Sequence, residues 1–127
     1  MNKIQIVITE EKIEDLINSE FFEFNSFNGA VVSFWGVVRR DHNTQKFLFY
    51  ECYKEMAIKE IEKIVYRAVN RFNLSIVKVI HRIGKVYEGE SSVFILVHSK
   101  HRKEAFKGCR YIIDQIKRRV PIWKNEE

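Results

Sequence analysis

Proline occurs once in the 127 residues and glycine five times. A long linker needs far more of both, so the chain reads as a single domain over residues 1–127. Cysteine occurs twice, at Cys52 and Cys109, and no C-x-x-C is present. That excludes a disulfide framework and argues against a zinc ribbon or a thioredoxin-like motif. It fits a reducing, cytoplasmic setting. No apolar run approaches the roughly 20 residues of a membrane span. The opening M-N-K-I-Q-I-V-I-T-E-E meets acids too soon for a signal peptide. Internal repeats and glycine-rich phosphate loops of the P-loop or Rossmann kind are also missing. The four histidines, His42, His81, His98 and His101, do not fall at metal-ligand spacing with carboxylates or thiols.

What is present is an ordinary globular composition, 46% hydrophobic and 31% charged, which argues against disorder. The length suffices for a real core without staples. Lys3 to Thr9 alternates polar and apolar and reads as a strand. Glu11 to Asn18 reads as a short acidic helix. Phe21, Phe22, Phe24 and Phe27 follow, as core lining or a subunit contact. Gly29 to Val38 is a nearly continuous apolar run, hence a central or interface strand, with Gly36 marking a bulge or a close backbone approach. Lys46 to Tyr53 reads as its hairpin partner. Lys54 to Phe72 has the longest helical stripe, stopped by Asn73. Leu74 to Arg82 and Ser91 to His98 are strands around a turn-rich segment framed by Gly84 and Gly89. A final helix follows, and Pro121 ends it. The order β-α-β-β-α-β-β-α predicts an α+β fold with a mainly antiparallel sheet and helices packed on it.

The chemistry concentrates between Ser99 and Lys124. That stretch holds nine basic residues and two acids, a net +7, while the whole chain is +5. The remainder is therefore −2, and the basicity is local, which points to an anion site. Ala105, Phe106, Cys109, Ile112, Ile113 and Ile116 share one helical face, where Cys109 reads as an inert buried thiol. With Ser99 as N-cap, the first turn carries Lys100, His101, Arg102 and Lys103. The helix dipole disfavours each of these cations by about 0.3–1 kcal/mol. An anion held by the free N–H groups would reverse that cost, with His101 and Arg102 beside it. A solvated charged turn is the competing reading. At the other end, Lys117, Arg118 and Arg119 suit the C-terminal dipole, so helix-end solvation explains them as well as a site does. Lys117 and Lys124 bracket the Pro121 turn, and a reversal there could bring both amines to one pocket as acid, base or nucleophile. Arg39 and Arg40 follow a buried strand, placed either to grip a carboxylate or phosphate or as solvated charges. His81 and His98, at and inside strands, read as structural.

Several blocks taken together resemble the large, catalytic subunit of molybdopterin synthase. They are G-A-V-V-S-F-W-G-V-V-R into D-H-N, Y-E-C-Y-K-E-M-A at 50–57, H-R-I-G-K-V-Y-E-G-E-S-S-V at 81–93, S-K-H-R-K-E-A-F at 99–106 and I-D-Q-I-K-R-R-V-P-I-W-K at 113–124. The resemblance implies an α/β-hammerhead-like α+β fold and a homodimer. Each subunit would bind one small ubiquitin-like sulfur-carrier subunit, making a heterotetramer. The carrier's C-terminal Gly-Gly thiocarboxylate would deliver sulfur to cyclic pyranopterin monophosphate, with no metal or other cofactor at this step. By position, the resemblance makes Lys117 the catalytic lysine. It makes His101, Arg102 and Lys124 substrate-binding, with Asn125 and Glu126 continuing the contact segment. It also implies a functional arginine after the Gly36 strand. Here Arg39-Arg40-Asp41-His42-Asn43 carries one residue more than the usual pattern. Counting from Gly36 selects Arg39, which the strand holds; counting back from His42 selects Arg40. The alternative function is a basic nucleic-acid-binding module, though no nucleic-acid motif is recognisable.

Overall fold

The computed structural model describes residues 2–40 and 46–125, with the backbone alone for Asn125. Within these residues, seven strands and three α-helices run in the order β1 (Lys3–Thr9), α1 (Ile13–Leu16), a 3-10 turn (Ser19–Phe22), β2 (Ala30–Val37), β3 (Phe47–Cys52), α2 (Lys54–Phe72), β4 (Ile76–Arg82), β5 (Gly84–Tyr87), β6 (Ser91–Ser99), α3 (Arg102–Arg119) and β7 (Ile122–Asn125). They make a four-stranded sheet in the order β1-β4-β6-β2 and a three-stranded sheet in the order β5-β3-β7. Among the described residues, only the β1–β4 pair is parallel. The expected α+β architecture with a mainly antiparallel sheet is what the chain adopts.

β4 and β6 are buried along their whole lengths because layers cover both faces. On one face Val77, Val79, Val93, Ile95 and Val97 meet the apolar stripes of α2 and α3 in the main core. On the other, Ile80, Phe94 and Leu96 meet Ile13, Phe21 and Phe22. The period-2 alternation of the strands sorts the residues between the two layers. α2 buries Ala57, Ile61, Ile64, Val65, Ala68 and Val69 on one stripe, and Asn73 closes it in the left-handed conformation (φ 55°). Asparagine tolerates that conformation, so the expected stop falls where the turn needs it.

Three expectations are corrected. β2 and β3 do not form a hairpin: β2 pairs with β6, and β3 lies in the other sheet between β5 and β7. The register of β2 shifts at Gly36/Val37, and Val38 is tied to the β5–β6 turn, which steers the chain out of the first sheet. The helix expected over 11–18 is one turn, because the Asn18 side chain accepts from the Phe21 N–H and starts a 3-10 turn instead. Ser99 is not the N-cap of α3. Pairing with Ala30 keeps it as the last residue of β6, and His101 takes the cap position.

Of the four phenylalanines between 21 and 27, Phe21 and Phe22 line the second core layer, while Phe24 and Phe27 are exposed. Among the described residues, no helix is long and apolar enough to cross a membrane.

Candidate functional site

A cavity of about 570 Å³ opens where the two sheets meet the C-terminal end of α3. Its first wall is the end of β2. A Cβ on Gly36 would stand 2.6 Å from Val93 Cγ1, so glycine alone lets β2 lie this close to β6. Beyond the bulge, the Val38 N–H donates to the Glu90 carbonyl at 2.9 Å and the Val38 carbonyl accepts from the Gly89 N–H at 2.8 Å. These two bonds fix the backbone immediately before Arg39, which lines the cavity. Arg40 does not line it, and its Nε lies 3.4 Å from Glu88 Oε2. Asp41, His42 and Asn43 lie outside the described residues.

The second wall is α3 with its exit. Ile113 and Ile116 pack in the core and Lys117 follows at the cavity edge. Val120 is extended (φ −82°, ψ 128°), the conformation that a following proline demands. Its N–H still caps the helix on the Ile116 carbonyl, and its own carbonyl accepts from the Ile122 N–H at 2.8 Å. The chain thus reverses within three residues and enters β7, antiparallel to β3, with Lys124 opposite Tyr50. Directly opposed residues of a ladder share a face, so Lys124 and Tyr50 both point at the cavity, with Leu48 and Ile122. The four-residue strand that makes this happen is too short to show a period in the sequence.

The remaining lining is polar. His81 is part of it, and Glu88 and Ser92 add acceptors. His81 is buried, with Nδ1 2.8 Å from the Arg82 carbonyl. Burial pushes its pKa below the ordinary histidine value, partly offset by that hydrogen bond. Arg39, Lys117 and Lys124 form no ion pair with another described residue. Three cations against one carboxylate leave the cavity positive, a place for anionic groups. No cysteine lines it. Burial raises the Cys109 thiol to about 11 and also raises that of Cys52, so neither thiol is activated. Among the described residues, no group of three or more His, Cys, Asp or Glu side chains is placed to hold a metal ion.

His101 and Arg102 are not in this cavity. They stand exposed at the opposite end of α3, and His101 makes no side-chain cap, leaving the first N–H groups of the helix free of one. Arg102 and Lys117 are fifteen residues apart on one continuous helix. At 1.5 Å per residue that is about 22 Å. The sequence places these groups in one basic block; the helix separates them into two clusters. Asn125 ends β7 in register with Phe49, and Glu126 lies outside the described residues. His98 is buried inside the sheet, with Nε2 2.7 Å from the Phe22 carbonyl, the structural role expected of it. His81 was expected to be structural too. Its hydrogen bond agrees, but its place on the cavity wall could not be read from a strand end.

Residues 7–119 match the family described as MoaE protein. A molybdopterin synthase catalytic subunit of Pyrococcus abyssi is 44% identical over 104 residues, 80% of this chain and 70% of the relative. One from Thermoplasma volcanium is 49% identical over 100 residues, 77% of this chain and 73% of the relative. Among solved structures, molybdopterin synthase from Staphylococcus aureus superposes with a TM-score of 0.82 at 36% identity, covering 100% of this chain and 92% of that one. A complex of subunits 1 and 2 of molybdopterin-converting factor from Helicobacter pylori gives 0.77 at 26% identity, covering 95% and 82%.

Proposed function

The chain belongs to the MoaE protein family, and from that premise we propose that it is the catalytic subunit of a molybdopterin synthase. In this reading it is a sulfurtransferase of molybdenum cofactor synthesis. It moves sulfur from the thiocarboxylated C-terminus of a small ubiquitin-like carrier to cyclic pyranopterin monophosphate. The observation that carries the reading is the convergence of Arg39, Lys117 and Lys124 on one cavity. Both reacting partners are anions, a thiocarboxylate and a cyclic phosphate, and unpaired cations in a recess attract both. Lys117 exchanges protons with the substrate as the carbon–sulfur bond forms, while Arg39 and Lys124 hold the anions. Asn125 and Glu126 extend the contact segment beyond Lys124. The two free thiols fit a reducing cytoplasm.

His101 and Arg102 enter this scheme only if a second copy supplies them, since about 22 Å separates them from the cavity of their own chain. β2 has β6 on one side and, among the described residues, no strand on the other. Its first residue, Ala30, pairs with Ser99 just before His101, while its far end, Gly36 and Val37, lines the cavity. Antiparallel pairing of two β2 edges about a two-fold axis would set the His101–Arg102 end of one copy beside the cavity of the other. The homodimer would then hold two composite sites, each open to one carrier, as a heterotetramer.

The test is to mix the purified chain with a thiocarboxylated carrier and cyclic pyranopterin monophosphate. The expected result is the dithiolene product. No product, together with nucleic-acid binding that falls steeply with salt, would favour the nucleic-acid alternative.

A further inference from the structure

For the carrier to leave as a carboxylate, oxygen must replace sulfur on its acyl carbon. If the carrier's thiocarboxylate sulfur displaces an oxygen from a substrate carbon, that oxygen leaves with its bonding electrons, as water or as the phosphate oxygen, and the two molecules are joined as a thioester. Water must then add its oxygen to the acyl carbon. The acyl carbon–sulfur bond breaks, and its electron pair stays on sulfur as the substrate thiolate. The carrier leaves as a carboxylate, and each sulfur consumes one water. The proton released as water attacks needs an acceptor. Arg39 and Lys124, which hold the anions as cations, have no lone pair for it, and Lys117 is already used for proton exchange in the carbon–sulfur step. Glu88 has one carboxylate oxygen 3.4 Å from Arg40 Nε, and a carboxylate is intrinsically a weaker base than a neutral imidazole.

We propose that His81 is this acceptor, a catalytic residue whose Nε2 activates the hydrolytic water; the assignment rests on the sulfur-transfer reading above. A carbonyl oxygen only accepts, so the 2.8 Å contact with the Arg82 carbonyl puts the ring proton on Nδ1. The lone pair is therefore on Nε2. Nε2 has no hydrogen-bond partner among the described residues, and it is not among their sealed, unsatisfied polar atoms. His81 lines the cavity, so the cavity is where Nε2 meets solvent. The ring is held rigidly. Its backbone lies between Ile8 of β1 and Val93 of β6, and the Tyr50 and imidazole rings pack edge to face with centroids 5.6 Å apart. The cavity groups around it are Arg39, Lys117 and Lys124 as cations, Glu88 as the carboxylate and Tyr50 as the phenol; Arg82 beside it is ion-paired with Glu90. Burial keeps the imidazole neutral at physiological pH, as a base must be.

The experiment compares wild type with His81→Asn, which can keep a side-chain N–H toward the Arg82 carbonyl and has nothing at the Nε2 position. Dithiolene formation should fall about 100-fold, the scale of a lost general base. In a single turnover the carrier–substrate thioester should accumulate, detected as a covalent adduct by intact mass. The wild-type rate should fall on acidification with an apparent pKa below 6.5, and His81→Asn should lack that limb. A wild-type rate in the variant overturns the assignment, and so does a slowed rate without adduct. If His81→Asn does not fold, the wild-type profile decides, and a flat acid side overturns the assignment. Failure of wild type itself to form dithiolene would instead sink the sulfur-transfer reading.

Discussion

Lys124 stands opposite Tyr50 in the β3–β7 ladder, and Lys117, seven residues earlier, faces the same cavity from the end of α3. A single reversal at Pro121 makes this convergence. The two amines reach the cavity from a helix and from a strand, so the geometry depends on packing at both, not on a loop.

Replacing Lys117 with alanine should abolish conversion of the precursor. The side chain is exposed and makes no ion pair with a described residue, so stability should change by no more than about 0.5 kcal/mol. Product formation, thermal melting and carrier binding measured on one preparation check this. Normal turnover would remove Lys117 from its role.

Arg102→Ala should weaken precursor binding without affecting the fold. Losing one charge-assisted hydrogen bond, about 1.5–3 kcal/mol, raises Kd roughly tenfold to a hundredfold. Calorimetric titration of the precursor reads it directly, and an unchanged Kd would dismiss the phosphate contact.

Gly36→Ala should destabilise the chain. The new Cβ would lie 2.6 Å from Val93 Cγ1, and overpacking of this kind costs about 1–3 kcal/mol. Urea unfolding should show a lower midpoint with the same slope.

Glu23 gives the protein an acid-sensitive tie. Hydrogen bonds and ion pairs from Lys3 and the buried Lys78 hold its carboxyl down from 4.5 to about 2. The folded-state value is the lower one, so this stabilisation is complete above pH 4.5 and is lost as pH falls toward 2. In Glu23→Gln the fall in melting temperature over that window should be shallower than in wild type. An identical slope would show that other carboxylates govern acid unfolding.

Local periodicity made much of this legible. β1 and α2 lie at the bounds that alternation and the apolar stripe indicate, and Asn73 stops α2 through its own conformational tolerance. What failed was non-local. Adjacent strands β2 and β3 look like a hairpin, but strand partners are chosen by the whole sheet, and both partners of β3 come later in the chain. β5 and β7, at four residues each, are too short to show a period. The basic block between Ser99 and Lys124 looks like one site in a string of letters. The rise of the helix turns it into two clusters, one beside a cavity and one far from it. His81 illustrates the remaining gap: which wall a strand-end side chain faces is set by tertiary packing alone.

In the dimer proposed above, one active site draws Lys117 from one subunit and Arg102 from the other. Lys117→Ala and Arg102→Ala chains should be co-expressed and assayed for dithiolene formation with the thiocarboxylated carrier, at a precursor concentration too low to saturate the weakened Arg102→Ala site. In a mixed dimer one cavity keeps Lys117 and receives Arg102 from its partner. Random assortment then restores about a quarter of wild-type activity. A mixture no more active than its separate components would contradict the composite site.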